Sequence, residues 1–262
     1  MYKQIVYQNQ IYILQDKKLN SRNEVFCFRN LETHKGLYLK TEGVEYEKYI
    51  LRKLKNTNIP LPQLVTQIKN VTGMVTTEIH GQPVHRIKNL SQKKRLDILY
   101  KMGKCLAEIH YKRVNMPNRA KFVWDKVEFV KTEKKSSVLK WLKDNSDFQK
   151  DFVFVHGDYQ MENVLINGTD VSAVIDWEFA GQGIKEMDIA WAVTVRQNCD
   201  IYSDENDVNA FVSGYSSVNS INEKALRWYR VKCMLFFYEM VEGEDEEYAS
   251  DLLRKIENLI KN

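Results

Sequence analysis

Two short apolar runs, Phe152-Val153-Phe154-Val155 and Val164-Leu165-Ile166, enclose the polar stretch His156-Gly157-Asp158-Tyr159-Gln160-Met161-Glu162-Asn163. This arrangement constrains the chain more than any other part of it. Runs of this length, rich in β-branched and aromatic residues, read as buried strands. A carboxylate just after a buried strand has a rigid support and a tip that reaches a cavity, which suits an acid or base. Gly157 permits a tight turn that a Cβ would resist. Asn163, five positions after Asp158, brings a neutral oxygen donor back to the same place. A third run, Val171-Ser172-Ala173-Val174-Ile175, then ends on Asp176. Two carboxylates and an amide oxygen at strand ends can hold a hard cation such as Mg2+ together with a hydroxyl, because Mg2+ takes one or two protein oxygens and completes its shell with phosphates and waters. Each residue taken singly also fits a turn or a helix cap. Their joint spacing is what points to chemistry.

The surrounding pattern divides the chain in two. QIYILQ, VFCFR and GLYLK read as strands. A helical period begins at Val44 and stops before Asn56, and Pro60 and Pro62 exclude its continuation. QLVTQIKN and GMVTTEI read as two more strands, and His80-Gly81-Gln82-Pro83 ends the β-rich part. Beyond it, Ser91 to His110 carries one apolar face, Ser136 to Leu142 is a shorter helix, and the chain after Asp188 is helical with breaks at 199–207 and 213–220. An α+β fold of two lobes is expected, residues 1–79 and 80–262, at a length sufficient for both.

The net charge of +4 comes from 39 basic and 35 acidic residues, a near balance that gives no reason to expect a nucleic-acid partner. The four cysteines form no C-x-x-C pair and read as thiols in a reducing compartment. With no apolar run long enough for a bilayer and no signal pattern at the start, a cytoplasmic protein without a membrane span is expected.

The order Asp-x4-Asn, hairpin, Asp is that of the catalytic loop and metal site of protein kinases. HGDYQMENVLI followed by VIDWEFAG resembles the aminoglycoside phosphotransferase and choline kinase family, small-molecule kinases with a bilobal protein-kinase-like fold. GLYLK, the helix around Glu47, VTTEIHGQP and CLAEIH extend the resemblance over nearly the whole chain. It implies that Asp158 is the catalytic base, that Asn163 and Asp176 hold Mg2+, and that the N-terminal lobe binds ATP or GTP as phosphoryl donor. It further implies that Lys40 contacts the α- and β-phosphates and that Glu47 pairs with it, Glu45 being the rival. Asn23 belongs to the loop that covers the phosphates. The Thr77 carbonyl and Ile79 amide would meet the adenine edge, while His156, Asp188 and Glu178 play supporting parts. The C-terminal lobe would take a small-molecule acceptor through a hydroxyl, an amino-sugar or a choline-like amino-alcohol.

The departure from the family is KKLNSRNEVFCF, where glycines are expected and none occurs. Glycine lets backbone amides approach phosphate closely. This loop supports a second reading, a catalytically weak or inactive kinase-fold protein that binds nucleotide or partners. Two features bear on the acceptor without choosing it. The acidic run Glu242 to Glu247 reads as a cation-attracting patch or as a solvated helix start. Trp177, Trp191, Trp228, Tyr229 and Tyr238 read as an aromatic cage or as core.

Overall fold

A computed structural model describes residues 3–19, 24–66, 68, 71–114, 116, 133–194 and 204–261. Asn23 and the rest of the glycine-free turn at 20–23 lie outside the described residues. The N-terminal part is one antiparallel sheet of β1 (Gln4–Tyr7), β2 (Gln10–Leu19), β3 (Glu24–Arg29), β4 (Gly36–Lys40), β5 (Leu64–Val65) and β6 (Met74–Thr77), in the order β1-β2-β3-β4-β6-β5. Within QLVTQIKN, expected as a full strand, Leu64 and Val65 pair opposite Thr76 and Val75, and residues 67, 69 and 70 lie outside the described residues.

Helix α1 (Glu45–Leu54) follows β4 and crosses beside the sheet. Its buried residues are Glu47, Ile50, Leu51 and Leu54, the spacing of a single helical face. Glu47 therefore lies on the apolar face, where a carboxylate needs a partner, while Glu45 is turned outward and bonds Lys48 at 2.7 Å. Lys40, the last residue of β4, is opposite Val25 on one side and Met74 on the other.

The C-terminal part is mostly helical: α2 (Gln92–Tyr111), α3 (Glu133–Asp144), α4 (Lys185–Thr194), α5 (Glu205–Ser216), α6 (Glu223–Val241) and α7 (Glu246–Lys261). α5 continues through Ser216 across the start of the break expected at 213–220, because Phe211, Gly214 and Tyr215 pack inward. α2 and α5 cross closely at Gly103, where a side chain would overlap the carbonyl of Phe211. β7 (Gln82–Pro83), β9 (Val164–Asn167) and β10 (Asp170–Val174) form a small sheet in the order β10-β9-β7. β8 (Phe152–Val155) pairs with β11 (Gly181–Ile184), Val155 opposite Gly181. No described helix is long and apolar enough to cross a membrane.

Candidate active site

The two strand pairs set the positions of Asp158, Asn163 and Asp176. β8 delivers the chain to His156, β9 takes it away after Asn163, and β10 returns it to Asp176. The Ile175 amide donates to the Asn163 carbonyl at 2.9 Å, which fixes the start of the Asp176 turn against the end of the loop. After a short turn at Trp177–Phe179, β11 pairs back on β8 and closes the circuit. Gly157 has φ +81°, and a Cβ there would lie 2.5 Å from the Phe179 carbonyl oxygen. The loop and the Asp176 turn touch at that point.

The loop is held from behind by buried polar groups. Asp188, fully buried on α4, accepts from the amides of His156 (2.9 Å) and Gly157 (3.0 Å). His110 of α2 adds its Nε2 at 3.0 Å to the same carboxylate, and its Nδ1 meets the Tyr215 hydroxyl at 2.8 Å. His156 is itself buried, and burial pushes its pKa down. Its Nδ1 accepts from the Asp158 amide at 3.2 Å and its Nε2 lies 3.0 Å from the Ile175 carbonyl. That pair of contacts requires the neutral Nε2–H tautomer. His156 thus joins the loop to the strand that carries Asp176.

Asp158 is held by several side-chain donors. Trp191 donates its indole N–H to Oδ1 at 2.8 Å, and Gln160 Nε2 bridges Oδ1 and Oδ2 at 3.0 Å each. Asn163 Nδ2 donates to Oδ2 and to the Asp158 carbonyl, both at 2.9 Å. Burial raises the carboxyl pKa from 3.8 to about 7, assisted by the nearby charge of Asp176 and opposed by the bonds from Trp191, Gln160 and Asn163. A carboxylate that titrates near neutrality suits proton abstraction.

The second cluster centres on Lys40. Its ammonium lies 3.0 Å from Glu47 Oε2, 2.9 Å from Asp176 Oδ1 and 3.7 Å from Glu178 Oε2. Burial alone would lower the lysine pKa, but the charges of Glu47 and Asp176 raise it above its ordinary value. Burial, with the charge of Asp176, raises that of Glu47 against the pull of Lys40. Glu47 Oε1 also accepts from the Trp177 amide at 3.1 Å, so the helix carboxylate secures the turn after Asp176. Asp176 has φ 63° and ψ 61°, a left-handed conformation uncommon for a residue with a side chain.

Asn163 and Asp176 present oxygen donors suited to a hard cation. The Asn163 amide nitrogen is committed to Asp158, and its oxygen has no hydrogen bond among the described residues. Asp176 is partly exposed and keeps a second carboxylate oxygen beyond the one on Lys40. Among the described residues no cluster of three or more His, Cys, Asp or Glu has the geometry of a protein-only metal cage. A donor set of one carboxylate and one amide fits an ion that draws its remaining ligands from phosphate and water.

Thr77 ends β6 opposite Leu37, and Ile79 follows it in the connection between the two parts. A cavity of about 260 Å3 between the α1–β5 connection and α2, lined by Asn58, Pro60, Cys105, Glu108 and Lys112, contains none of these residues. Trp177 is fully buried and Tyr229 and Tyr238 are buried, so these members of the aromatic set are core. Glu242 of the acidic run accepts from Lys135 at 3.0 Å and from the Tyr238 hydroxyl at 2.6 Å. Gln160 and Trp191 were not singled out by the spacing argument as partners of Asp158. Gln160 is two residues from Asp158 in the loop, but nothing in the sequence brings Trp191 to it.

The sequence profile of the phosphotransferase enzyme family matches residues 33–229, a span that runs from before Lys40 to beyond Asp188. The chain belongs to this family. No curated protein sequence matches it. Among solved structures it is similar to an aminoglycoside-3'-phosphotransferase of type VIII, with 19% identity, a TM-score of 0.61, and 88% of this chain and 95% of that chain covered. A choline/ethanolamine kinase family protein from Mesorhizobium loti aligns at 15% identity and TM-score 0.63, covering 95% of this chain and 88% of that one. Spectinomycin phosphotransferase, solved in complex with ADP and spectinomycin, aligns at 15% identity and TM-score 0.59, covering 96% and 91%. At these identities the structural matches establish the bilobal protein-kinase-like fold, and the family match establishes the phosphotransferase relationship.

Proposed function

We propose that this member of the phosphotransferase family is an ATP- or GTP-dependent, Mg2+-dependent kinase that phosphorylates a hydroxyl group of a small molecule, an amino-sugar or an amino-alcohol. The observation that carries the reading is the convergence of the partly buried Asp158 carboxylate with Asn163 and Asp176 beside the Lys40–Glu47 pair, where desolvation raises the Asp158 pKa to about 7 and suits it to take a hydroxyl proton near neutral pH. Phosphoryl transfer asks the protein for positioning and charge stabilisation more than for covalent chemistry. Asp158 would orient the acceptor hydroxyl in line with the terminal phosphate and accept its proton as the oxygen–phosphorus bond forms and the bond to the leaving diphosphate breaks. Lys40, held by Glu47, would contact the α- and β-phosphates. Asn163 and Asp176 would hold Mg2+, which when bound neutralises phosphate charge. Residues 1–79 would form the nucleotide-binding lobe, with the Thr77 carbonyl and Ile79 amide at the adenine edge. Residues 80–262 would form the catalytic and acceptor-binding lobe. Glu178, close to the same ammonium, would support the metal carboxylate.

The test is a panel of amino-alcohols and amino-sugars, each incubated with ATP or GTP and Mg2+, with ADP or GDP release measured. At least one acceptor should raise release above the acceptor-free rate and become phosphorylated. A panel in which no acceptor does so with the intact chain, while an established kinase of the same fold works alongside, would refute the reading.

A further inference from the structure

We propose that Trp191 is a positioning residue for the Asp158 carboxylate, an inference that rests on the kinase reading above. Of the three side chains that donate to this carboxylate among the described residues, Gln160 and Asn163 belong to the same loop as Asp158. Trp191 comes from α4, and its Nε1–H reaches Oδ1 at 2.8 Å across 33 positions of sequence. It is the donor that fixes the carboxylate relative to the body of the lobe.

The helix that carries it already grips the loop. Asp188 precedes Trp191 by three positions, so both project from one face of α4. Asp188 takes the backbone amides of His156 and Gly157, and Trp191 takes the side chain of the next residue. One helical turn thus sets both the path of the loop and the direction of its carboxylate. The indole is backed by α6, with its ring 5.4 Å from Phe237 and 6.3 Å from Phe236. A ring packed this way has little freedom to swing with the loop.

Chemistry favours an indole here over other donors. Its N–H only donates and does not titrate, so it cannot compete with Asp158 for the hydroxyl proton. It occupies part of Oδ1 and so biases which lone pairs face an acceptor. Phenylalanine could fill much of the same space beside Phe236 and Phe237, but it has no N–H. A reaction that depends on an in-line hydroxyl is sensitive to errors of about 1 Å, which can lower the rate by about 100-fold.

The experiment compares the full-length parent protein with Trp191→Phe and follows the indole N–H signals in 15N-labelled protein. Of the five tryptophan signals, that of Trp191 is the one missing from Trp191→Phe. In Asp158→Ala this signal should move upfield as its carboxyl acceptor is removed. Trp191→Phe should lower kcat by about 10- to 100-fold with the KM for the nucleotide within about twofold and an unchanged fold by circular dichroism. An indole signal that keeps its position in Asp158→Ala, or a Trp191→Phe enzyme with parental kcat, would overturn the proposal. If the parent phosphorylates no acceptor, the kinase reading fails, and the indole signal still decides whether Trp191 holds Asp158.

Discussion

Replacing Asp158 by Asn should make the protein more stable at alkaline pH and leave it nearly inactive. Burial raises this carboxyl from 3.8 to about 7, so the folded state binds the proton more tightly than the unfolded chain does. Between those two values the native protein holds the proton that the unfolded chain has released. Stability therefore falls as pH rises through this window and is lowest, as far as this group is concerned, above pH 7. A difference of about three pKa units corresponds to about 4 kcal/mol, the stability given up by keeping an ionised carboxylate in this place. An Asn side chain removes that charge but offers one acceptor oxygen where the carboxylate had two. It would keep the bond from Trp191 and lose the Oδ2 contacts from Gln160 and Asn163, which returns about 1–2 kcal/mol. The net gain should be about 2–3 kcal/mol at a pH of about 8.5 and should vanish, or reverse through the lost contacts, at a pH of about 5. Urea denaturation of both proteins at the two pH values measures it. A stability difference between Asp158→Asn and the parent that is the same at both pH values would refute the argument, because it would mean that the carboxyl titrates alike in the folded and unfolded chains. Turnover on the best acceptor should fall by about 100- to 10,000-fold in the same variant, the usual worth of a positioned base.

On the proposed function, the same carboxyl should set the acid limb of the parent's pH profile: kcat/KM for the acceptor should decline as pH falls below about 7, and a limb near 4 would show that the base titrates normally. Lys40→Met leaves Glu47 buried without its cation and should cost about 3–5 kcal/mol in denaturant unfolding. Adding Glu47→Gln to it should restore much of that stability without restoring activity. Asp176→Ala should abolish the part of nucleotide affinity that depends on Mg2+, measured by calorimetry with and without the ion. Equal affinity under both conditions in the parent would count against the metal assignment. Gly157→Ala forces a Cβ onto the Phe179 carbonyl at a positive φ and should cost about 2–3 kcal/mol, read as a lowered Tm.

Much of the candidate site was legible because it is local. Asp158 and Asn163 occupy one loop between two apolar runs, and Asp176 follows the next, so strand propensity places each of them at or just beyond a strand end, and the β9–β10 hairpin brings Asn163 back beside the start of the Asp176 turn. Helical periodicity likewise separates Glu47, in phase with Ile50, Leu51 and Leu54, from its rival Glu45. The strand Gly181–Ile184 was not legible. GQGI has no alternating apolar pattern, and it becomes a strand because Phe152–Val155 offers it an edge.

The sequence by itself determined which residues sit at strand ends, which helix face is apolar, and that one loop concentrates Asp, Asn and His between buried runs. Only the tertiary structure decided that Lys40 lies between Glu47 and Asp176, that Asp188 and His110 support the loop from α4 and α2, and that Trp191 reaches Asp158. Local patterns record burial and backbone preference over a few residues. The depth at which Asp158 is buried, and hence its raised pKa, depends on segments far away in the chain, because desolvation is the sum of everything packed around the group.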